Sequence, residues 1–303
     1  MKTATHKENV ETEATGIPKR AWWERSMFLQ VLQRLSKNPA AMFGLILLLI
    51  ISIVAIFAPV FAPYSPTVMD LDAMYATPSL KHLFGCDEVG RDILSRLIYG
   101  ARYSLSIGLI ADIVSQVIGV LIGAAIGYAG GKIDLVGMRI VDIWASIPNT
   151  LLAILISTTL GAGYINTIIA MLVSNIPGGI RSTRAMSLKE REMDYLEAAR
   201  SINAGPMRIM YKHMVPNIIS PTIVGTTMGI GSTIISVAGL AYIGLGIQPP
   251  APEWGAMLAA GRDFIKKYPH MIIFPGIAIA ITVLSLNLFG DGLRDALDPK
   301  MKD

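Results

Sequence analysis

The chain is poor in cysteine, in charge and in aromatic residues, and each shortage excludes something. Cys86 is the only cysteine in 303 residues, so no intrachain disulfide can staple the fold. The four histidines, His6, His82, His213 and His270, lie far apart without ligand spacing, which argues against a resident metal site. Neither an HExxH motif nor a Ser/His/Asp grouping is present. A phosphate-binding loop, GxxxxGK[ST], is missing too. Its nearest approach, GYAGGKI at Gly127 to Ile133, has the wrong spacing and puts Ile133 where a Mg²⁺-binding hydroxyl belongs. These absences predict a chain that is not an enzyme, does not hydrolyse ATP alone and carries no cofactor of its own. Charged residues make up only 16% and aromatic residues 7%, against 52% hydrophobic residues and a mean hydropathy of +0.53. That balance fits a polytopic membrane protein and not a single soluble domain.

A bilayer core needs about 20 apolar residues as helix, and runs of about that length recur. Six are read as spans: about Met42–Ala62, Ser104–Tyr128, Arg139–Leu160 with an interruption at Pro148, Ile165–Ile180, Ile218–Leu245 and Met271–Phe289. The predicted fold is all-α, with six transmembrane helices and both termini cytoplasmic. Its predicted organisation is a cytoplasmic tail at 1–40, a first transmembrane helix at 41–63, an extracytoplasmic segment at 64–102 and a core of five spans at 103–303. Residues 1–20 are charged and aperiodic, and read as disordered. Trp23, Met27, Phe28, Val31, Leu32 and Leu35 then share one helical face beside Arg25, Arg34 and Lys37. This is either an amphipathic interfacial helix or a basic flank that sets orientation. The first apolar run is too long for a signal-peptide core and reads as an uncleaved span. With the N-terminus inside, 19 of the 26 Lys and Arg residues fall on cytoplasmic segments and 7 on outer ones. The opposite orientation inverts that bias.

One polar island interrupts the spans: Ser187 to Asn217, SLKEREMDYLEAARSINAGPMRIMYKHMVPN. Ser187 to Ile202 has helical composition, with Met193, Leu196, Ala199 and Ile202 recurring every three residues. Asn203, Ala204 and Gly205 break it, and Pro206 suits the first position of a second short helix, which stops at Pro216. The prediction is a cytoplasmic helix–turn–helix anchored at both ends. It either docks a partner, with the small residues of Glu197-Ala198-Ala199 admitting another backbone, or merely closes a loop.

The island's EAA run, followed by Ile209, His213, Pro216 and Asn217, resembles the cytoplasmic loop of ABC importer permeases. The resemblance is narrower than that: the chain is similar to the peptide/nickel branch, as the second permease of dipeptide and oligopeptide transporters. It extends over FGCDEVGRDILSRLIYGAR, AGYAGGKID, YIGLGIQPPAPEWGAML and FPGIAIAITVLSLNLFGDGLRDALDP. The resemblance implies a prokaryotic plasma membrane protein that forms half of a translocation pathway. Implied partners are a second homologous permease, cytoplasmic ATPase subunits that bind ATP and Mg²⁺, an extracytoplasmic substrate-binding protein and membrane lipid, with no nucleic acid. Glu197, Ala198, Ala199, Asn203, Gly205, Ile209, His213 and Pro216 become the expected ATPase-coupling loop. The family's glycine falls where this chain has Asn203, a residue that tolerates a left-handed turn; Gly205 is placed to absorb part of the bend. The cargo expected is a di- or oligopeptide, with nickel or another small solute as the alternative. An ion-coupled secondary transporter is the rival from another class, and it predicts several intramembrane carboxylates.

Only Asp112 is a clear charge well inside a span. A carboxylate there costs on the order of 3 kcal/mol and normally faces a cavity or a partner. Gln116 is one turn away on the same face, so the pair reads either as a patch lining the path or as a contact between helices. The family usually has an apolar residue at 112, so the resemblance assigns it no role. Pro148 removes a backbone hydrogen bond, giving either part of a gate or a bend for packing. His213 reads as a packing or hydrogen-bonding residue, since it has no carboxylate partner at helical spacing. Cys86 stands where the family usually has Thr and reads as a free thiol. The tail DGLRDALDP is read as a short separate helix from Asp291 to Pro299.

Overall fold

The computed structural model describes residues 27–297. Its regular structure is helical, and an isolated backbone bridge between Cys86 and Asp92 is the only extended pairing among the described residues. Trp23, Arg25, the aperiodic tail and Pro299 lie outside them. Helix α1 (Met27–Lys37) meets α2 (Pro39–Ile56) at Asn38, whose side chain accepts hydrogen bonds from the Ala40 and Ala41 N–H groups. This N-cap followed by Pro39 starts a new helix axis. One turn, α3 (Ala58–Phe61), closes the apolar run.

Four helical stretches are long and apolar enough to cross a membrane: α2, α4 (Ile93–Ala129), the continuous stretch Pro206–Tyr242 and α12 (His270–Leu297). A fifth arises if α5 (Gly131–Trp144) and α6 (Asn149–Leu160), bent by 68° at their junction, form one span. The expected fourth span is α7 (Tyr164–Arg191), which is long enough at 28 residues but not apolar enough. It carries Asn166, Thr167, Ser174, Asn175, Arg181 and Arg184 among its aliphatic residues. Asn175 donates to Thr233, and Arg181 and Arg184 pair with Asp142 and Asp134 of α5, partners that a count of apolar residues cannot register.

Several boundaries move from their predicted places. Helix α4 begins well before Ser104, because the Asp92 carboxylate caps it by accepting from the Ser95 N–H at 2.8 Å. It ends at Gly130 and Gly131, with φ +64° and +54°, the left-handed region that glycine adopts without steric cost. The third apolar run starts there and not at Arg139. Pro148 does not kink a helix; it sits at the break between α5 and α6. Helix α12 runs on through Asp291 to Leu297, so the separate tail helix does not exist. Its last turns bury Ala296 with Leu35 and Ala41, tying α1 and α2 to the end of the chain.

Close helix packing follows from small residues. Gly119, Gly123 and Gly127 recur at four-residue intervals on α4. A Cβ on each would lie 2.7 Å from the Gly179 backbone, 2.6 Å from the Ile180 carbonyl oxygen and 2.6 Å from the Ser187 Cβ. Side chains that small let α4 and α7 touch backbone to backbone. On the opposite end the segment before α4 is folded and not merely solvated. Arg91 pairs with Asp87 at 2.7 Å, His82 with Asp92 at 3.0 Å, and Tyr64 stacks near His82. Buried Arg96 donates to the carbonyl oxygens of Pro66 and Pro250, joining two segments far apart in the chain. The Cys86 thiol lies within this cap, where burial first and the neighbouring Asp92 second push its pKa up to about 11.

Candidate functional site

Two features stand out, a hairpin at one end of the bundle and a cavity within it. The hairpin is the polar island, arranged differently from its prediction. Helix α7 carries on through Ser187 to Arg191, and the chain breaks at Glu192 and Met193. Helix α8 (Asp194–Ser201) then follows, starting with Asp194 in its first turn, where a negative charge suits the helix dipole. Asn203 takes φ +57°, the left-handed conformation in which the chain turns back. Gly205 has φ −63°, so the bend needs nothing from its glycine freedom. The next helix does not stop at Pro216. The turn α9 (Pro206–Ile209) passes through a π turn, Met210–Met214, into α10 (Val215–Tyr242) without a break. The widened turn lies just before Pro216, which has no N–H to donate to the helix.

The hairpin has a buried side and an exposed one. Leu196 and Ala199 of α8 pack with Ile209, Met210, Met214 and Ile218, and with Ala124 near the end of α4. The predicted apolar stripe is thereby split: Leu196 and Ala199 are inside, while Met193 and Ile202 are exposed, Ile202 by 80%. Glu197, Ala198, Asn203, Gly205 and Pro216 are all exposed as well. Of the EAA triplet only Glu197 and Ala198 face outward; Ala199 fastens the hairpin to the bundle.

Hydrogen bonds lock the same joint. The Tyr195 hydroxyl donates to Glu190 at 2.5 Å and accepts from the Asn217 amide at 2.9 Å. Asn217 also donates to the His213 carbonyl oxygen at 2.6 Å. Partial burial and the bond to Glu190 hold the phenol protonated, above its ordinary value, so it remains a donor. These contacts connect α7, α8 and α10 through side chains. His213 contributes its backbone carbonyl to this joint and is half-buried. Tyr195 and Glu190 escaped the sequence analysis because a five-residue separation across a helix break has no periodic signature.

The cavity has a volume of about 720 Å³ and lies between α4, α6, α7 and α10. Asp112, Gln116, Asn175 and Thr233 line it, with Asn149 and Thr150 directly after Pro148. The structure thus brings Asp112 and Gln116 together at one wall and leaves Pro148 itself exposed beside the opening turn of α6. The Asn175 amide donates to the Thr233 hydroxyl at 3.0 Å, which reaches an Asp112 carboxylate oxygen at 3.4 Å. Neither Asn175 nor Thr233 was singled out from sequence, because single polar residues in a helix reveal no partner. Three of the four helices that form the cavity wall, α4, α7 and α10, are also the ones the hairpin is fastened to.

Comparisons with known proteins agree with this architecture. Residues 119–303 match the family described as binding-protein-dependent transport system inner membrane component, and residues 26–78 match the N-terminal TM domain of oligopeptide transport permease C. The chain is 43% identical to the di/tripeptide transport system permease protein DppC of Pseudomonas aeruginosa (strain UCBPP-PA14), over 89% of this chain and 91% of that protein. It is 45% identical to the glutathione transport system permease protein GsiD of Escherichia coli O1:K1 / APEC, over 89% of each. A solved structure of the MetNI methionine ABC transporter in inward-facing conformations shares the fold, with a TM-score of 0.58 at 20% identity, covering 68% of this chain and 98% of that one. A helical architecture with several spans and a family match over more than half its length lead to one conclusion: the chain belongs to the inner membrane components of binding-protein-dependent transport systems.

Proposed function

We propose that this chain is a permease subunit of an ATP-driven importer of small peptides. It supplies half of the translocation pathway and one coupling element. Peptide cargo is supported by the similarity to permeases named for di/tripeptides and glutathione. In this reading α7 is the fourth of six spans, its polar residues sheltered by α4 and α10, and both termini and the hairpin are cytoplasmic in a prokaryotic inner membrane. α1 lies at the interface. A second homologous permease completes the pathway, and an extracytoplasmic binding protein delivers cargo to the outer cap. Separate ATPase subunits bind ATP and Mg²⁺ and seat against the exposed side of α8.

One observation carries the mechanism: the hairpin's buried side is fastened to the helices that wall the cavity. Its joint is apolar packing reinforced by the Tyr195, Glu190 and Asn217 bonds, so it has no soft hinge. A displacement applied at Glu197 and Ala198 therefore moves α7 and α10 together relative to α6, and the cavity they share with α6 changes its access. The test is direct. Replacing Glu197 by Lys and Ala198 by Trp leaves the buried side intact but blocks close approach. Copurification of the ATPase and peptide uptake are both expected to be lost; undiminished binding and uptake would overturn the assignment.

A further inference from the structure

The cavity's lining includes one ionisable side chain, Asp112, and no Lys, Arg or His. Asp112 is 6% exposed. One carboxylate oxygen takes the long contact from Thr233, at 3.4 Å, and the other, buried, has no hydrogen-bond partner among the described residues. No ion pair in the described structure involves it. A Cβ added to Gly229 on α10 would come within 2.7 Å of that free oxygen, so the missing side chain is what gives the carboxylate its room. Gln116, one turn along α4, presents its own carbonyl oxygen against Gly179, close enough that a Cβ there would lie 2.4 Å away. Beside these two acceptors, the Asn175 amide is already engaged with the Thr233 hydroxyl, which in turn donates to Asp112.

An unpaired carboxylate in a low-dielectric site is neutralised by a cation or by a proton, and this one faces a cavity large enough for a cationic group. From this we infer that the cavity recognises a primary ammonium group on the passing cargo, with Asp112 as its counter-charge and Gln116 as an auxiliary acceptor. The inference rests on the proposal that this cavity is the translocation path. It adds a selectivity element inside the membrane to whatever the binding protein selects outside. The contact is suited to passage and not to storage. One carboxylate and one amide oxygen leave an ammonium incompletely satisfied, so the group is drawn in and released. Because the Thr233 contact is long, turning the free oxygen from Gly229 toward the lumen breaks only a weak bond.

The experiment uses the full reconstituted complex in proteoliposomes, at saturating cargo-loaded binding protein, with Asp112→Asn and Asp112→Glu. Asn keeps the shape and can still accept from Thr233; Glu keeps the charge. A structural role predicts wild-type transport by Asp112→Asn. The inference expects its maximal uptake rate to fall about five- to tenfold, with assembly and basal ATP hydrolysis unchanged, and Asp112→Glu to restore at least half of the rate. Wild-type uptake by Asp112→Asn would overturn the inference. So would a loss of copurification of the second permease, since that would make Asp112's counter-charge a residue of that subunit. A second readout compares a free-amine peptide with its N-acetylated form, both first titrated on the binding protein. The rate ratio between them is expected to narrow in Asp112→Asn, and an unchanged ratio overturns the inference. If the binding protein rejects the acetylated form, the charge series alone decides. Absence of any peptide uptake by the wild-type complex would instead count against the peptide proposal itself.

Discussion

At residue 253 a carboxylate is almost completely enclosed, 1% exposed, where α11 (Trp254–Gly261) meets α4. Glu253 caps α11 by accepting from the Ala256 N–H at 2.8 Å and accepts from the Ser104 hydroxyl at 2.9 Å. Burial nevertheless pushes its pKa above the ordinary carboxylate range. Neighbouring Trp254 donates to the Leu97 carbonyl oxygen at 3.0 Å, so the loop is pinned to α4 at consecutive residues. Glu253→Ala strands two buried donors, a loss of about 1–3 kcal/mol. Its complex is expected to melt at lower temperature in detergent, and Glu253→Gln, which keeps an acceptor, at a temperature nearer the wild type. The sequence pointed to Asp112 because a charge in an apolar run is conspicuous. It passed over Glu253 because a charge in a polar loop is not. Asn203 was legible for a different reason: left-handed tolerance is a property of the residue itself, and φ +57° is what the chain adopts there.

The hairpin is the element whose parts were visible and whose assembly was not. Asn203 marked the turn and Pro206 the second start. Periodicity could not reveal the break at Glu192 and Met193, nor the uninterrupted run past Pro216, because both depend on what lies underneath. Leu196, Ile209, Met210 and Met214 bury one side against Ala124, and the π turn fits the proline into that packing. The Tyr195–Asn217 bond then sets the stiffness of the joint. Tyr195→Phe retains the ring and removes the hydroxyl. Peptide uptake per ATP hydrolysed is expected to drop severalfold while basal hydrolysis persists. Asn217→Ala is expected to act through the same bond, so the double variant should lose little beyond either single one. Simultaneous measurement of ATP turnover and uptake checks both.

Across the whole molecule, the cap before α4 and the hairpin occupy opposite ends of a bundle, and their sidedness is open to labelling. In a Cys86→Ala background, a cysteine at Leu80, which is 99% exposed, is expected to react with a membrane-impermeant maleimide on intact cells. A cysteine at exposed Lys132, at the start of α5, is expected to react only after permeabilisation. The reverse pattern would invert the orientation derived from the Lys and Arg bias. By itself the sequence determined that the chain is helical and membrane-embedded, where its apolar runs lie, and which polar segment stands apart. Those are sums over local residues, because transfer into lipid and helix formation are governed residue by residue. Only the tertiary structure decided how α4 and α7 pack, how Glu253 is enclosed, how the hairpin is fastened and which groups surround Asp112. Each of these depends on a partner distant in the chain: Gly179 against Gly119, Ser104 beneath Glu253, Thr233 beside Asp112. A buried polar group is tolerated only when such a partner, a cavity or a cargo receives it, and no local pattern encodes which of the three it will be.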